Sequence, residues 1–277
     1  MANQDPYYVV PPKTAPVPVL LSSPHSGTEI PVSVAAAMRP SLVEVPEDTD
    51  WFVHQLYDFV SHLGVTAIHA RYSRYVIDLN RDPANQPLYA DSRKETALVP
   101  THTFSGEPLY RDEVPNSKER ERRLENYFRP YHLKLEDLLA EMRGQYSHVL
   151  LLDAHSIRRL VKTISEKPFA DLILGDQNGK TAHPKLIQSA LETLNSSSFQ
   201  VSHNVPFKGG YITRHFGRPS AGIHSLQLEM SQDVYMDPAK LTLDPAKATT
   251  VRALLRELIE NLLTTVQSLE ETYEIEI

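Results

Sequence analysis

Four apolar residues, Val149-Leu150-Leu151-Leu152, run without interruption into Asp153-Ala154-His155-Ser156. A short unbroken apolar run that ends in polar residues reads as a strand buried on both faces. Such a strand needs a sheet covered by helices on both sides, so this segment constrains the fold more than any other. In open α/β sheets, ligands collect where the carboxyl ends of strands meet loops. The reading places His155 at that edge, where an imidazole can bind a metal or move a proton. Asp153 is close enough to orient it or to support the loop.

The rest of the chain alternates in the same sense. Residues 17–22, 66–70, 75–79, 171–174 and 225–230 read as strands. Helical spacing of Trp51, Val53, Leu56, Tyr57, Val60 and Leu63 predicts a helix over 50–63, stopped by Gly64. Residues 116–143 read as a long charged helix. Asn116 and Glu119 fit a capping box there, and Pro130 should kink or break it. Residues 184–194 and 245 to about 270 read as two more helices, the last capped by Asp244 with Pro245 in its first turn. Residues 82–110 lack periodicity and read as a long surface excursion, a candidate lid, because such loops border sites. Residues 175–179 are a turn cluster, and 207–217 read as a loop. No repeat, low-complexity tract or linker is visible. The expectation is one domain over residues 1–277, of α/β class, with three α/β/α layers around a central mixed, largely parallel sheet.

Composition narrows the chemistry. A chain of 277 residues can bury a sizeable core without disulfides. It has no cysteine, so it offers no disulfide framework and no thiolate, and any metal must be held by His, Asp or Glu. Absent cysteine is compatible with a reducing cytoplasm, the expected location. Residues 1–16 lack the basic start and apolar stretch of a signal peptide. No apolar run is long enough to span a bilayer. The net charge of −7, with no basic cluster beyond one mixed helix, argues against nucleic acid as a partner. A small anionic substrate held by a few arginines fits this balance.

The candidate groups follow strands. His25 lies in a Ser-Gly turn after the first strand and is either a ligand or a solvated side chain. Asp48 and Asp50 flank Thr49 just before a helix; Asp50 is either a metal carboxylate or an ordinary N-cap. Glu229 shares a strand face with Gln227, opposite Leu226 and Leu228. It is either a solvated edge glutamate or a general base whose pKa is raised in a partly dry site. Arg81 ends a strand-like run as either a surface charge or a bidentate clamp on a carboxylate. Arg214 sits after Gly209-Gly210, where backbone can approach a ligand closely. Two His and one carboxylate form a catalytic zinc set with an open position, able to activate water and polarise a carbonyl. The spacing matches no short consecutive motif such as H-E-x-x-H, so the fold must assemble the site.

The chain resembles the N-formylglutamate amidohydrolase (N-formylglutamate deformylase) family along nearly its whole length. The resemblance rests on Ser23-Pro24-His25-Ser26-Gly27, Asp48-Thr49-Asp50-Trp51 and Ser73-Arg74-Tyr75-Val76-Ile77-Asp78-Leu79-Asn80-Arg81. It continues in Arg129-Pro130-Tyr131-His132, Leu152-Asp153-Ala154-His155-Ser156-Ile157, Phe207-Lys208-Gly209-Gly210-Tyr211-Ile212-Thr213-Arg214-His215 and Gln227-Leu228-Glu229. It implies a phosphorylase/hydrolase-like fold similar to that of zinc carboxypeptidases and aspartoacylase-type deacylases. It implies one divalent ion, expected to be Zn2+, and hydrolysis of N-formyl-L-glutamate to formate and L-glutamate, the last step of one histidine-degradation route. By the wider resemblance His25 and His155 are metal ligands, Asn80 and Arg81 bind substrate, and Glu229 is the general base; Arg214 is the candidate for the second substrate carboxylate. Those deacylases take the metal carboxylate from a Glu three residues after the first His, where this chain has Thr28. Glu29 is one residue off, and the formylglutamate pattern favours Asp50. A deacylase or peptidase for another N-acyl amino acid or acidic peptide, and a binding protein on the same fold, are the alternatives.

Overall fold

A computed structural model describes residues 4–88 and 96–274. Strands β1 (Tyr7–Val10), β2 (Val19–Ser23), β3 (Thr66–Ala70), β4 (Val149–Ile157), β5 (Leu172–Gly175), β6 (Val201–His203) and β7 (Ile223–Ser231) form one sheet, ordered β1-β3-β2-β4-β7-β5-β6. The four central strands are mutually parallel, while β1 opposes β3 and the β5/β6 pair opposes β7. The order reverses at β2: the chain goes to β3 on one side, then returns to β4 on the other. This is the switch point at which α/β sheets open a crevice.

Helices α1 (Val32–Ala35), α2 (Pro40–Glu44), α3 (Val53–Leu56), α4 (Ser117–Arg123), α5 (Arg129–Arg143), α6 (Pro184–Asn195), α7 (Tyr211–Phe216) and α8 (Pro245–Glu274) complete the description. Alternation along the strands sorts their side chains. Leu21, Leu150, Leu152, Leu226 and Leu228 pack with α3, α6 and α8. Leu20, Val149 and Leu151 face α5 and α7 with Tyr131, Leu135 and Ile212. The apolar run of β4 therefore feeds two cores, and the expected three-layer α/β/α arrangement is present.

Several boundaries differ from expectation, each for a physical reason. Phe52 takes φ 63, outside helical space. The helix expected over 50–63 is consequently only α3 plus a 3-10 turn, Val60–Leu63, closed by Gly64 at φ 82. Residues 75–79 are buried but form no strand, because other partners take their backbone groups. Asp78 N–H donates to Leu98 O, Arg123 Nη1 donates to Val76 O, and His132 Nε2 donates to Leu79 O. Their β-rich composition signalled burial, not pairing. Pro130 does not break a helix in place. It sits in the first turn of α5, and a π-helical turn, Leu124–Phe128, absorbs its missing donor one turn upstream. β4 extends through His155, which lies inside the strand instead of in the loop beyond it. Residues 207–217 contain α7, and β1, β6 and the small hairpin β8 (Met236–Asp237)/β9 (Thr242–Leu243) escaped the sequence reading. Part of the 82–110 excursion, residues 89–95, lies outside the described residues. Leu98, Val99, Leu109 and Tyr110 are buried, so its second half is anchored in the core at both ends, with residues 105–108 exposed between them.

Candidate active site

The carboxyl ends of β2, β4 and β7 converge on one cavity. His25 follows β2 in a turn fixed by Ser23 Oγ, which lies 2.8 Å from Ser26 Oγ and 2.6 Å from His69 Nδ1. Gly27 is required there, since a Cβ would lie 2.6 Å from the Arg71 carbonyl carbon. His155 and Glu229 stand directly opposite each other in the β4/β7 register, on one face of the sheet. The fully hydrogen-bonded strand pair fixes both. Asp50 reaches the site from the turn before α3, where its N–H donates to His25 O at 3.0 Å. It is not a helix cap: α3 begins after Phe52 with no side-chain cap.

Both imidazoles are oriented from behind. His25 Nε2 lies 2.7 Å from Asp78 Oδ1, and His155 Nε2 lies 2.9 Å from Asp153 Oδ2. Ionised carboxylates only accept, so each Nε2 carries a proton, and in the cation-binding form each Nδ1 would present its lone pair forward. Both Nδ1 atoms face Asp50 Oδ2, His155 at 3.0 Å and His25 at 3.7 Å. His25 Nδ1 is buried with no hydrogen-bond partner. Protonating His155 would satisfy the His155–Asp50 pair yet leave His25 Nδ1 orphaned. A cation between them satisfies all three ligand atoms, which lie within 4.8 Å of one another. The donor set of two imidazole nitrogens and one carboxylate, each imidazole backed by a carboxylate, fits a metal ion.

The electrostatics follow from burial among charges. Burial alone would lower the His155 pKa, but Asp153 and Asp50 outweigh it and hold the group well above the ordinary imidazole value. Burial and then Arg74 push His25 down, against Asp78 and Asp50. Burial pushes the Asp78 carboxyl up, yet Arg74, His25 and Arg81 together hold it well below the usual carboxylate range. Burial is the largest influence on Glu229 too; with Asp50 and Asp153 adding to it and His155 and Arg74 opposing, its pKa is raised to about 8.

The structure brings His25, Asp50, Asn80, Arg81, His155 and Glu229 to one cavity wall, and adds Arg74, Phe104, Ile157, Ile164, Phe207 and Gln227. Asn80 is held by its own amide: Oδ1 accepts from Ile212 N–H at 2.8 Å, and Nδ2 donates to Asp153 Oδ2 at 3.3 Å. The Arg81 guanidinium donates to Thr96 O at 3.1 Å and Thr96 Oγ1 at 3.2 Å. Arg214 is not among the lining residues; it donates to Gly209 O at 2.8 Å and to Leu88 O. Glu29 is at the surface, bonded to Tyr8 and Arg71. Asp48 accepts from Phe104 N–H at 2.7 Å and from Arg158 at 3.0 Å, which fixes the 104 loop rather than the ligand cluster. Sequence reasoning passed over Arg74, whose Nη2 lies 2.6 Å from Asp78 and whose guanidinium covers the Phe104 ring. Its position four residues before Asp78 was the available signal.

Comparison with known proteins agrees with this architecture. A family model described as N-formylglutamate amidohydrolase matches residues 17–236. An N-formylglutamate deformylase of Pseudomonas aeruginosa is 41% identical over 257 residues, covering 91% of this chain and 94% of that protein. One of Pseudomonas putida is 40% identical over 254 residues, covering 89% and 92%. A crystal structure of N-formylglutamate amidohydrolase from Ralstonia eutropha JMP134 superposes with a TM-score of 0.79 at 27% identity, over 96% of this chain and 98% of that one. The chain belongs to the N-formylglutamate amidohydrolase family.

Proposed function

We propose that the chain hydrolyses N-formyl-L-glutamate to formate and L-glutamate, with residues 1–277 acting as one catalytic domain. The observation that carries this reading is the buried triangle of His25 Nδ1, His155 Nδ1 and Asp50 Oδ2 with Glu229 across the β4/β7 register from His155. The names of the Pseudomonas deformylases supply the substrate. His25, Asp50 and His155 would hold one divalent ion, and the nitrogen-rich donor set favours Zn2+. When bound, such an ion supplies Lewis acidity that acidifies water and polarises the formyl carbonyl.

The chain's own groups do the rest. Glu229, paired with His155 across the β4/β7 register, takes the proton from the attacking water as a carboxylate and returns it to the leaving nitrogen. Arg74 and Arg81 line the cavity as buried or part-buried cations and neutralise the two carboxylates of the substrate or the charge that develops on the formyl oxygen. Asn80 fixes the wall beside His155. Arg214 holds the backbone of Leu88 and Gly209 at the rim and acts on substrate through them. Phe104, Ile157, Ile164 and Phe207 give the cavity an apolar side that excludes water. We place the reaction in the cytoplasm, at the end of a histidine-degradation route, on the family resemblance. Among the described residues no helix is long and apolar enough to cross a membrane.

The test measures divalent-metal content together with formate release from N-formylglutamate, and product release from N-acetylglutamate and an unblocked acidic peptide. The expected result is stoichiometric metal and turnover of the formyl substrate alone. Absence of formate release from metal-loaded protein would sink the activity. Turnover that persists after complete metal removal would sink the metal role.

A further inference from the structure

The turn carrying Asp50 and the strand carrying His155 are 105 residues apart in sequence. Their side chains must still meet to within a hydrogen bond. Asp50 has no regular element to hold it, and Phe52, two residues on, takes a left-handed conformation. Something else must set the distance between turn and strand.

The segment just after β7 supplies the connection. Gln232 Nε2 donates to Thr49 O at 2.9 Å. The Tyr235 hydroxyl lies 2.8 Å from Trp51 O and 2.8 Å from Ser156 Oγ. The phenolic O–H is the donor to both, its single proton shared between the Trp51 carbonyl and Ser156 Oγ, which accept. Thr49 and Trp51 flank Asp50, and Ser156 follows His155. One phenol thus ties the residue after the carboxylate to the residue after the imidazole, while the Gln232 amide holds the other side of the same turn. Tyr235 and Gln232 are both buried. Packing alone asks only for the Tyr235 ring, since a phenylalanine fills the same space. Burying a hydroxyl costs free energy unless it is partnered, so the oxygen is explained by its two bonds.

We propose that Tyr235, with Gln232 and Ser156, is a positioning residue that sets the separation of Asp50 and His155, and through it the affinity and geometry of the metal site. This rests on the metal reading of His25, Asp50 and His155. Tyr235 acts through the backbone on either side of Asp50 and through Ser156.

The full-length chain is stripped of metal and titrated with Zn2+ against a chromophoric chelator, and Co2+ absorption reports coordination geometry. Tyr235→Phe, Ser156→Ala and Gln232→Leu are compared with the unmodified chain. Loss of a group that orients metal ligands typically weakens affinity roughly 10- to 100-fold, and that is expected for Tyr235→Phe together with an altered Co2+ spectrum. The Tyr235→Phe/Ser156→Ala double variant should bind no worse than Tyr235→Phe, because both changes cut one link. Thermal unfolding separates this role from a purely structural one. A structural loss lowers the metal-free and metal-loaded Tm together, whereas lost positioning narrows the gap between them. Zn2+ affinity within twofold of the unmodified chain, with an unchanged gap and spectrum, overturns the inference and leaves the metal reading standing. No Zn2+ uptake by the unmodified chain overturns both. Should Tyr235→Phe fail to fold, the small Ser156→Ala change decides by the same measurements.

Discussion

Each imidazole of the site stands between two carboxylates: His25 between Asp78 and Asp50, His155 between Asp153 and Asp50. The rear carboxylate fixes the tautomer and strengthens the forward nitrogen as a donor. Asp153→Asn keeps the shape but removes the charge, and Zn2+ affinity should fall roughly 10- to 100-fold. Chelator competition measures this, and unchanged affinity would show that Asp153 only fills space. Glu229→Gln should retain full metal content while kcat drops about 10^2- to 10^4-fold; near-normal turnover in a metal-replete Gln variant removes the general-base role. His25, His155 and Glu229 were legible in the sequence because they follow or interrupt apolar runs. Asp50 was ambiguous, since an Asp before a helix is ordinarily a cap. Arg74 and Asp78 were not read as site residues because their segment looks like a strand, and only the tertiary structure shows that it lies buried beneath His25.

At the level of elements, the sequence marked the central strands and long helices well and irregular buried backbone poorly. Periodicity reports which side chains avoid water, and says nothing of what partners the backbone. Residues 75–79 illustrate this: their amides and carbonyls are taken by Ser73, Leu98, Arg123 and His132, all remote from any strand pairing. The turn into α7 shows the other side of the same limit, because its constraint is steric. A Cβ on Gly210 would lie 2.3 Å from Asn80 Nδ2. Gly210→Ala must therefore displace the amide that joins Ile212 to Asp153. Overpacking of this kind costs about 1–3 kcal/mol, so urea unfolding should show a loss of that size, accompanied by weaker metal binding. A variant as stable as the parent would mean that α7 can shift without strain.

For the whole molecule, buried histidines set the acid limit. His132, packed among Phe128, Tyr131 and Phe216, is pushed by burial down to about 3, and His69 and His224, also by burial, to about 4. Unfolding frees each to take a proton near pH 6.5. At these three positions the unfolded chain then binds more protons than the folded one, so, partly offset by Glu229, whose raised pKa works in the opposite sense, their contribution to stability rises with pH through this range. It is complete above about pH 6.5 and is lost as pH falls toward 4, by roughly 1.4 kcal/mol per pH unit for each such group. Chemical denaturation at pH 7.5 and pH 5 measures the slope, and His132→Gln should reduce it by about one proton. An unchanged slope in His132→Gln would contradict the burial argument.

The reversed direction of β5 has a consequence for how such a molecule can change over time. Because β5 opposes β7, with Leu172 paired to Met230, the chain enters β5 at the reactive end of the sheet. Residues 158–171 therefore arrive at the cavity instead of departing behind it, and Ile164 from this stretch forms part of the wall. His25, Asp50, His155 and Glu229 all lie outside it. Insertions or deletions between Arg159 and Asp171 can enlarge or narrow the rim while His25, Asp50, His155 and Glu229 keep their places. Changes to the shape of the cavity rim have a natural home there, between the strand that carries His155 and the reversed strand that follows.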